Sequence, residues 1–317
     1  MNDVIADSKP PGNIVKACSF MLLAAIMFTA MQGSVRYLSA TIHPFEIAFF
    51  RCFFGMLVIA PWFFNKKTSP LKTQNFGRHM WRAALNVVAM LLFFTALSFT
   101  ATPIAQIQAL AFTAPLFTTV LAALVLGEIV GIRRWSAVCL GFAGALIIIR
   151  PGIQPIDLGS MYVMMSASIW AVCMILIKQL SRTDSSFTIT AYMVILMSPL
   201  ALIPALFYWT WPGPWEWFWL VFCGLLGTLA QWSMTQAFSL ADATVVLPLD
   251  FSKVVWGALI GYFAFGELID IWTWVGAGVI FSGATYIAMR ERHLEKNNTL
   301  NRPTLSLSQR VRSFFQI

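Results

Sequence analysis

Apolar runs long enough to cross a lipid bilayer recur ten times along these 317 residues, and no other feature of the sequence limits the fold so strongly. A helix needs about 20 apolar residues to cover the hydrocarbon core. Such runs fall near 15–36, 44–64, 81–99, 103–126 and 134–150, and again near 158–178, 187–208, 215–239, 243–265 and 272–290. Backbone in lipid must satisfy its own hydrogen bonds, so each run is read as an α-helix. With 59% hydrophobic and only 11% charged residues, the chain lacks the composition of an ordinary soluble surface. The expected fold is an all-α integral membrane bundle of ten transmembrane helices. The first run is too long for a signal-peptide core and is read as a retained helix.

The net charge of +8 does not point to nucleic acid, because the basic residues sit in tails and short loops rather than along one soluble face. Positive loops are retained in the cytoplasm. With the N-terminus inside, 17 of the 21 lysines and arginines fall on the cytoplasmic side, among them Lys66, Lys67, Arg133, Arg134, Arg182 and Arg290. Arg36 and Arg150 lie at the outer side, and Arg51 and Lys253 lie within spans. An even span count with both termini cytoplasmic fits this bias. The five cysteines are widely spaced inside apolar runs and are read as packing residues, so neither disulfides nor a metal site is expected.

The chain also repeats itself. Gly127-Glu128, followed by Trp135 and Gly144, returns as Gly266-Glu267, Trp274 and Gly283 at a constant separation of 139 residues. Arg36, Leu38 and Ser39 return as Lys178, Leu180 and Ser181 at a separation of 142. Each half holds five spans, so the second must enter the membrane in the opposite sense, and inverted repeats suit alternating access. The expected organisation is a cytoplasmic tail over 1–14, a first repeat over 15–150, a second over 151–290, and a cytoplasmic tail over 291–317.

These paired Gly-Glu helix ends, together with the Pro115-containing fourth span, the Pro248-containing ninth and the Arg36/Lys178 pair, resemble the drug/metabolite transporter superfamily, in the form with two EamA-type domains. That resemblance implies a basket of ten helices around a central cavity and secondary transport of metabolites. The stretches His43-Pro44-Phe45-Glu46, Phe49-Phe50-Arg51 and Ala241-Asp242-Ala243-Thr244 are similar to bacterial members assigned to S-adenosylmethionine or riboflavin.

Ionisable groups inside a membrane mark function or obligatory pairing. Asp250 and Lys253 are three residues apart on one helix face, either as a structural ion pair or as contacts to solute or a coupling proton. Glu46 and Arg51 diverge by about 140° around a regular helix and imply separate partners, with Asp250 a candidate for Arg51. Asn86, Gln106, Gln108, Gln231 and Gln236 join helices or line the cavity. Trp170, Tyr192, Trp232 and Trp256 pack or stack on a planar solute. Glu128 and Glu267, at equivalent helix ends, cap, lock or gate; Pro115 and Pro248 permit bends. The expected substrate-binding set is Asp250, Lys253, Arg51, Glu46, Asn86, Gln106, Gln231 and Trp232, with Glu128, Glu267, Pro115 and Pro248 for gating or structure.

There is no G-x-x-x-x-G-K-[ST] phosphate loop, H-E-x-x-H or G-x-S-x-G, so no cofactor, metal or catalytic residue is expected. The chain is read as an inner (plasma) membrane carrier of a small organic solute, amino-acid-like, S-adenosylmethionine-like or riboflavin-like. Its expected partners are that solute and the lipid bilayer, not nucleic acid; a proton or counter-substrate and a homodimer stay open. A membrane-embedded enzyme on a lipid-linked substrate, or a non-transporting subunit, is the alternative.

Overall fold

A computed structural model describes residues 11–63, 73–125, 132–150, 157–180, 183–184, 186–240, 246 and 249–300. The described residues form helices and connecting turns, without strands. In chain order these are α1 (Pro11–Leu38), α2 (Pro44–Phe63), α3 (Phe76–Ser98), α4 (Ile104–Ala111), α5 (Ala114–Val125) and α6 (Ile132–Ile149). They are followed by α7 (Leu158–Leu180), α8 (Ser186–Ala205), a 3₁₀ turn (Leu206–Tyr208), α9 (Pro214–Leu240), α10 (Ser252–Phe265) and α11 (Ile271–Leu300). Six stretches are long and apolar enough to cross a membrane: Ile14–Leu38, Phe76–Ser98, Ile104–Leu121, Leu158–Ile177, Ala191–Tyr208 and Pro214–Met234. Shorter apolar helices run over Val138–Ile149, Ser252–Phe265 and Ile271–Gly283. The protein is an all-helical, multi-pass membrane protein.

Helices before residue 150 pack on helices after 157: α1 on α9, α3 on α7, α2 on α8 and α6 on α11. Glycine permits the closest of these approaches. A Cβ on Gly144 of α6 would stand 2.8 Å from the Gly276 carbonyl of α11, and one on Gly276 would meet the Gly144 carbonyl at 2.6 Å. Such small residues let backbones touch where no hydrophobic effect drives helices together in lipid.

The span expected over 103–126 is not one helix. It breaks at Phe112 and Thr113 into α4 and α5. Pro115 lacks an amide hydrogen and its ring crowds the carbonyl four residues back, that of Ala111, the last residue of α4. A second interruption stands at Phe251, between the helical residues Leu249 and Asp250 and the start of α10. Phe112 and Phe251 are separated by 139 residues, the separation that relates the Gly-Glu helix ends. Their rings touch, with centroids 5.1 Å apart, and Phe281 lies tilted against Phe251 at 4.4 Å. The last helix continues past Arg290 to Leu300, so the expected tail at 291 begins as helix.

A buried polar plate at one end of the bundle

The Gly-Glu signature has a conformational cause. Gly266 takes φ +67° and ends α10 left-handed, a region that costs any residue with a Cβ. Its amide donates to Tyr262 O at 3.1 Å, the bond of an αL helix end, and that of Glu267 donates to Gly261 O at 2.9 Å. The reversal folds Glu267 back over Gly261, where a Cβ would strike its carboxylate. There Glu267 Oε1 pairs with Arg36 Nη1 at the end of α1, and Oε2 accepts from the Ile104 amide at 2.8 Å, capping α4. Both charged side chains are buried, at 2% and 7% exposure.

Arg36 Nη2 donates to Thr102 O, and Thr102 Oγ1 donates to Asp157 Oδ2. Asp157 caps α7 by accepting from the Ser160 amide at 3.0 Å and from its hydroxyl at 3.1 Å. Gln106 Nε2 donates to Ser160 Oγ at 2.9 Å. Arg36, Thr102, Gln106, Asp157 and Glu267 thus tie α1, α4, α7 and α10 into one polar plate. A buried network is stable only when its members find partners, and here both carboxylates do. The sequence reading passed over Asp157 and Thr102. An aspartate before an apolar run with serine three residues on is an N-cap signal that could have found them.

Candidate functional site

Toward the middle of the bundle, Lys253 Nζ lies 2.6 Å from Asp250 Oδ1 across the turn at Phe251, each side chain 13% exposed. The contact is ionic rather than an aligned hydrogen bond, because that oxygen has no hydrogen-bond partner. Lys253 Nζ also sits 4.7 Å from the Phe28 ring centroid of α1. The suggested pairing of Asp250 with Arg51 is corrected: its cationic partner is Lys253, its neighbour across the local turn.

Arg51 has sulfur for company. Its Nη1 lies 3.6 Å from Met90 Sδ of α3, and the thiols of Cys52 and Cys223 stand beside it. Its Nε is buried without an acceptor. The side chain lies among α1, α3 and α9 and keeps some accessible surface. Gly227 of α9 makes room: a Cβ there would meet Met31 Sδ at 2.7 Å and Arg51 Nε at 3.0 Å. Phe28 and Met31 are three residues apart on α1, so Lys253 and Arg51 approach it less than about one helical turn apart.

Glu46 stands apart from these two. It is fully buried at the start of α2, and Oε2 accepts from the Thr210 amide at 3.1 Å and hydroxyl at 3.0 Å. It therefore anchors the link between α8 and α9. Beside it, His43 stacks on Tyr208 with centroids 4.0 Å apart, and burial pushes its imidazole below the ordinary histidine range. Asn86 is buried and donates to Met197 Sδ at 3.2 Å. Gln108 donates to Gln32 Oε1 within a buried contact of α1 with α4. Trp232 is 38% exposed and edge-on to Phe20 at 5.7 Å. Gln231 of α9 is partly buried and makes polar contact with the protein. Pro115 lies just past the α4 break, whereas Glu128 and Pro248 lie outside the described residues.

At the opposite end, His79 Nε2 contacts Asp184 Oδ2 at 2.8 Å, and Thr73 Oγ1 donates to the same oxygen at 2.9 Å. Tyr192 stacks on His79 at 4.7 Å. Arg82 donates to Ile189 O at 3.0 Å. Each contact joins α3 or its leading strand of chain to the α7–α8 region. No cluster of three or more histidine, cysteine, aspartate or glutamate side chains fit to hold a metal occurs among the described residues.

An apolar helical bundle with two broken spans and charged side chains near the breaks defines a multi-pass membrane protein. Comparison with known proteins gives the family. The EamA-like transporter family model matches residues 15–150 and again 157–289. A riboflavin transporter of Vibrio cholerae is 34% identical over 86% of this chain and 92% of that protein. An S-adenosylmethionine uptake transporter of Rickettsia felis is 30% identical over 86% and 92%. A riboflavin transporter of Rhizobium johnstonii is 30% identical over 90% and 95%. A chain of known crystal structure superposes with a TM-score of 0.57 at 19% identity, covering 85% of this chain and 97% of that one, and so shares the fold. The chain belongs to the EamA-like transporter family, and it transports a small metabolite.

Proposed function

We propose that this protein is an alternating-access secondary carrier of the bacterial inner membrane whose solute is of the riboflavin or S-adenosylmethionine kind. Ten spans form two inverted five-helix repeats, over 15–150 and 151–290, with both termini cytoplasmic. The observation that carries the mechanism is the pair of breaks at Phe112 and Phe251, at repeat-related positions and in ring contact. Two hinges at one crossing let each half rock against the other, exposing a central site to one side and then the other. Arg51, Asp250 and Lys253 hold the solute, with Asn86, Gln231 and Trp232 as subsidiary contacts, while Gln106 belongs to the plate.

Arg36, Glu267 and their plate form the seal on the outer side, so this conformation is closed outward. A solute gradient, a counter-substrate or a proton drives the cycle. Purified protein in liposomes with radiolabelled riboflavin and S-adenosylmethionine tests the reading. Accumulation of one of them that is lost in Lys253→Met supports it. Chemical conversion without net movement would point instead to an intramembrane enzyme.

A further inference from the structure

Every described carboxylate in the bundle is already engaged. Glu46 accepts from Thr210, Asp157 from Thr102 and Ser160, Asp184 from Thr73, and Glu216 from the Gly213 amide. Asp250 pairs with Lys253, Glu267 with Arg36 and Asp270 with Arg150. Arg51 is left among sulfur atoms: Met90 Sδ at 3.6 Å, the Cys52 and Cys223 thiols, and Met31 by way of Gly227. A guanidinium carries five donors and stays charged. Sulfur is a weak acceptor and cannot replace the water such a cation loses inside a membrane.

The surrounding glycines make room for the guanidinium. α2 and α9 approach through Gly55 and Gly224, where a Cβ on Gly224 would stand 2.5 Å from Phe54 Cβ and 3.2 Å from Arg51 O. That contact, with Gly227 one turn further along α9, lets the guanidinium lie close against α9, with its Nε buried and without an acceptor.

We propose that Arg51 is a recognition residue for an oxyanion carried by the solute, a carboxylate or a phosphate, which supplies the counter-charge that no described carboxylate provides. Guanidinium suits both, because its planar fork matches two oxygens of either group. The proposal rests on the carrier reading given above. Lys253 adds no free charge beside it, since Asp250 neutralises it.

The test measures equilibrium binding to protein in nanodiscs with two pairs of probes differing in one anionic group. One pair is riboflavin and riboflavin 5′-phosphate; the other is S-adenosylmethionine and its decarboxylated form. In at least one pair the anionic member binds about 10- to 100-fold more tightly, as a charge-assisted contact demands. Preference in the first pair identifies phosphate, and in the second carboxylate. Arg51→Met removes the preference by weakening only the anionic member, and Arg51→Lys keeps part of it. A second readout needs no ligand: Arg51→Met leaves the thermal midpoint of the empty protein unchanged or raised, because it removes a charge without a partner. Equal binding within both pairs by wild type, a preference that survives Arg51→Met, or a lowered midpoint would overturn the proposal. Uptake of any probe in liposomes without charge preference would defeat this proposal and leave the carrier reading standing. If none of the four binds, the midpoint of Arg51→Met alone decides.

Discussion

At Gly266 a single hydrogen atom decides how a helix ends. The left-handed turn there closes the helix with bonds to Tyr262 O and Gly261 O and aims Glu267 at Arg36 and at the amide of Ile104. A Cβ in that conformation costs about 1–2 kcal/mol. Gly266→Ala should therefore lower stability by about that amount, seen as a reduced thermal midpoint in detergent, with Gly266→Asn milder. The charged pair at Asp250 and Lys253 makes a different prediction. Removing either charge strands the other in a membrane interior, whereas removing both does not. Lys253→Met alone should destabilise the protein more than Asp250→Asn with Lys253→Met together, with a coupling of about 1–3 kcal/mol in a double-mutant cycle. The presence of these ionisable residues was legible in the sequence, because a charge within an apolar run is conspicuous. Their partners were legible only where spacing along one helix supplied them, as for Asp250 and Lys253. Glu46 meets Thr210 across 164 residues, and no local pattern announces that contact.

Among the elements, the most informative is the span that is not continuous. Pro115 announced a bend, but the repeat relation between the breaks at Phe112 and Phe251 emerges only when both are seen in contact. Pro115→Ala restores an amide hydrogen and removes the clash with the Ala111 carbonyl, so α4 and α5 should tend to merge. The expected result is slower hydrogen exchange at residues 112–117, with a fall in uptake rate larger than any loss of stability. Equal exchange in the variant and wild type would mean that packing around Phe251 and Phe281, rather than the proline, holds the break open. The remaining helix ends lie close to those expected from the apolar runs. Burial in lipid and continuous apolar sequence have the same physical cause, so span position is a local property. The extension of α11 to Leu300 is the exception, since polar sequence beyond Arg290 gave no apolar signal.

For the whole molecule, the interleaving of the two halves matters most. α1 packs on α9 and α3 on α7, so neither half is a separate body and a movement of one must be read by the other. The plate made by Arg36, Thr102, Asp157 and Glu267 joins elements from both halves at one end. If it is the outer seal, a disulfide in place of the ion pair will hold it shut. In a background without native cysteines, Arg36→Cys with Glu267→Cys should lose most uptake on oxidation and regain it on reduction, beside a control carrying either cysteine alone. Unchanged uptake in the oxidised double variant would remove these residues from the gate. Inverted topology is tested separately by impermeant thiol labelling of cysteines placed at Ser69 and Gly213. The first should react only from the cytoplasmic side and the second only from outside.

What the sequence determined by itself was everything that depends on neighbours along the chain. It showed where apolar runs cross lipid, that the chain repeats at separations near 140 residues, and that Gly-Glu ends and intramembrane charges are its special features. These follow from hydrophobic length, from residue identity and from helical spacing, which act locally. Only the tertiary structure decided which charge meets which partner. Arg36 is joined to Glu267 across 231 residues, while Arg51 is left with sulfur. In a medium without water a buried charge without a partner is costly. Whether it finds one, and which, is set by the packing of distant helices, a property that no stretch of sequence carries alone.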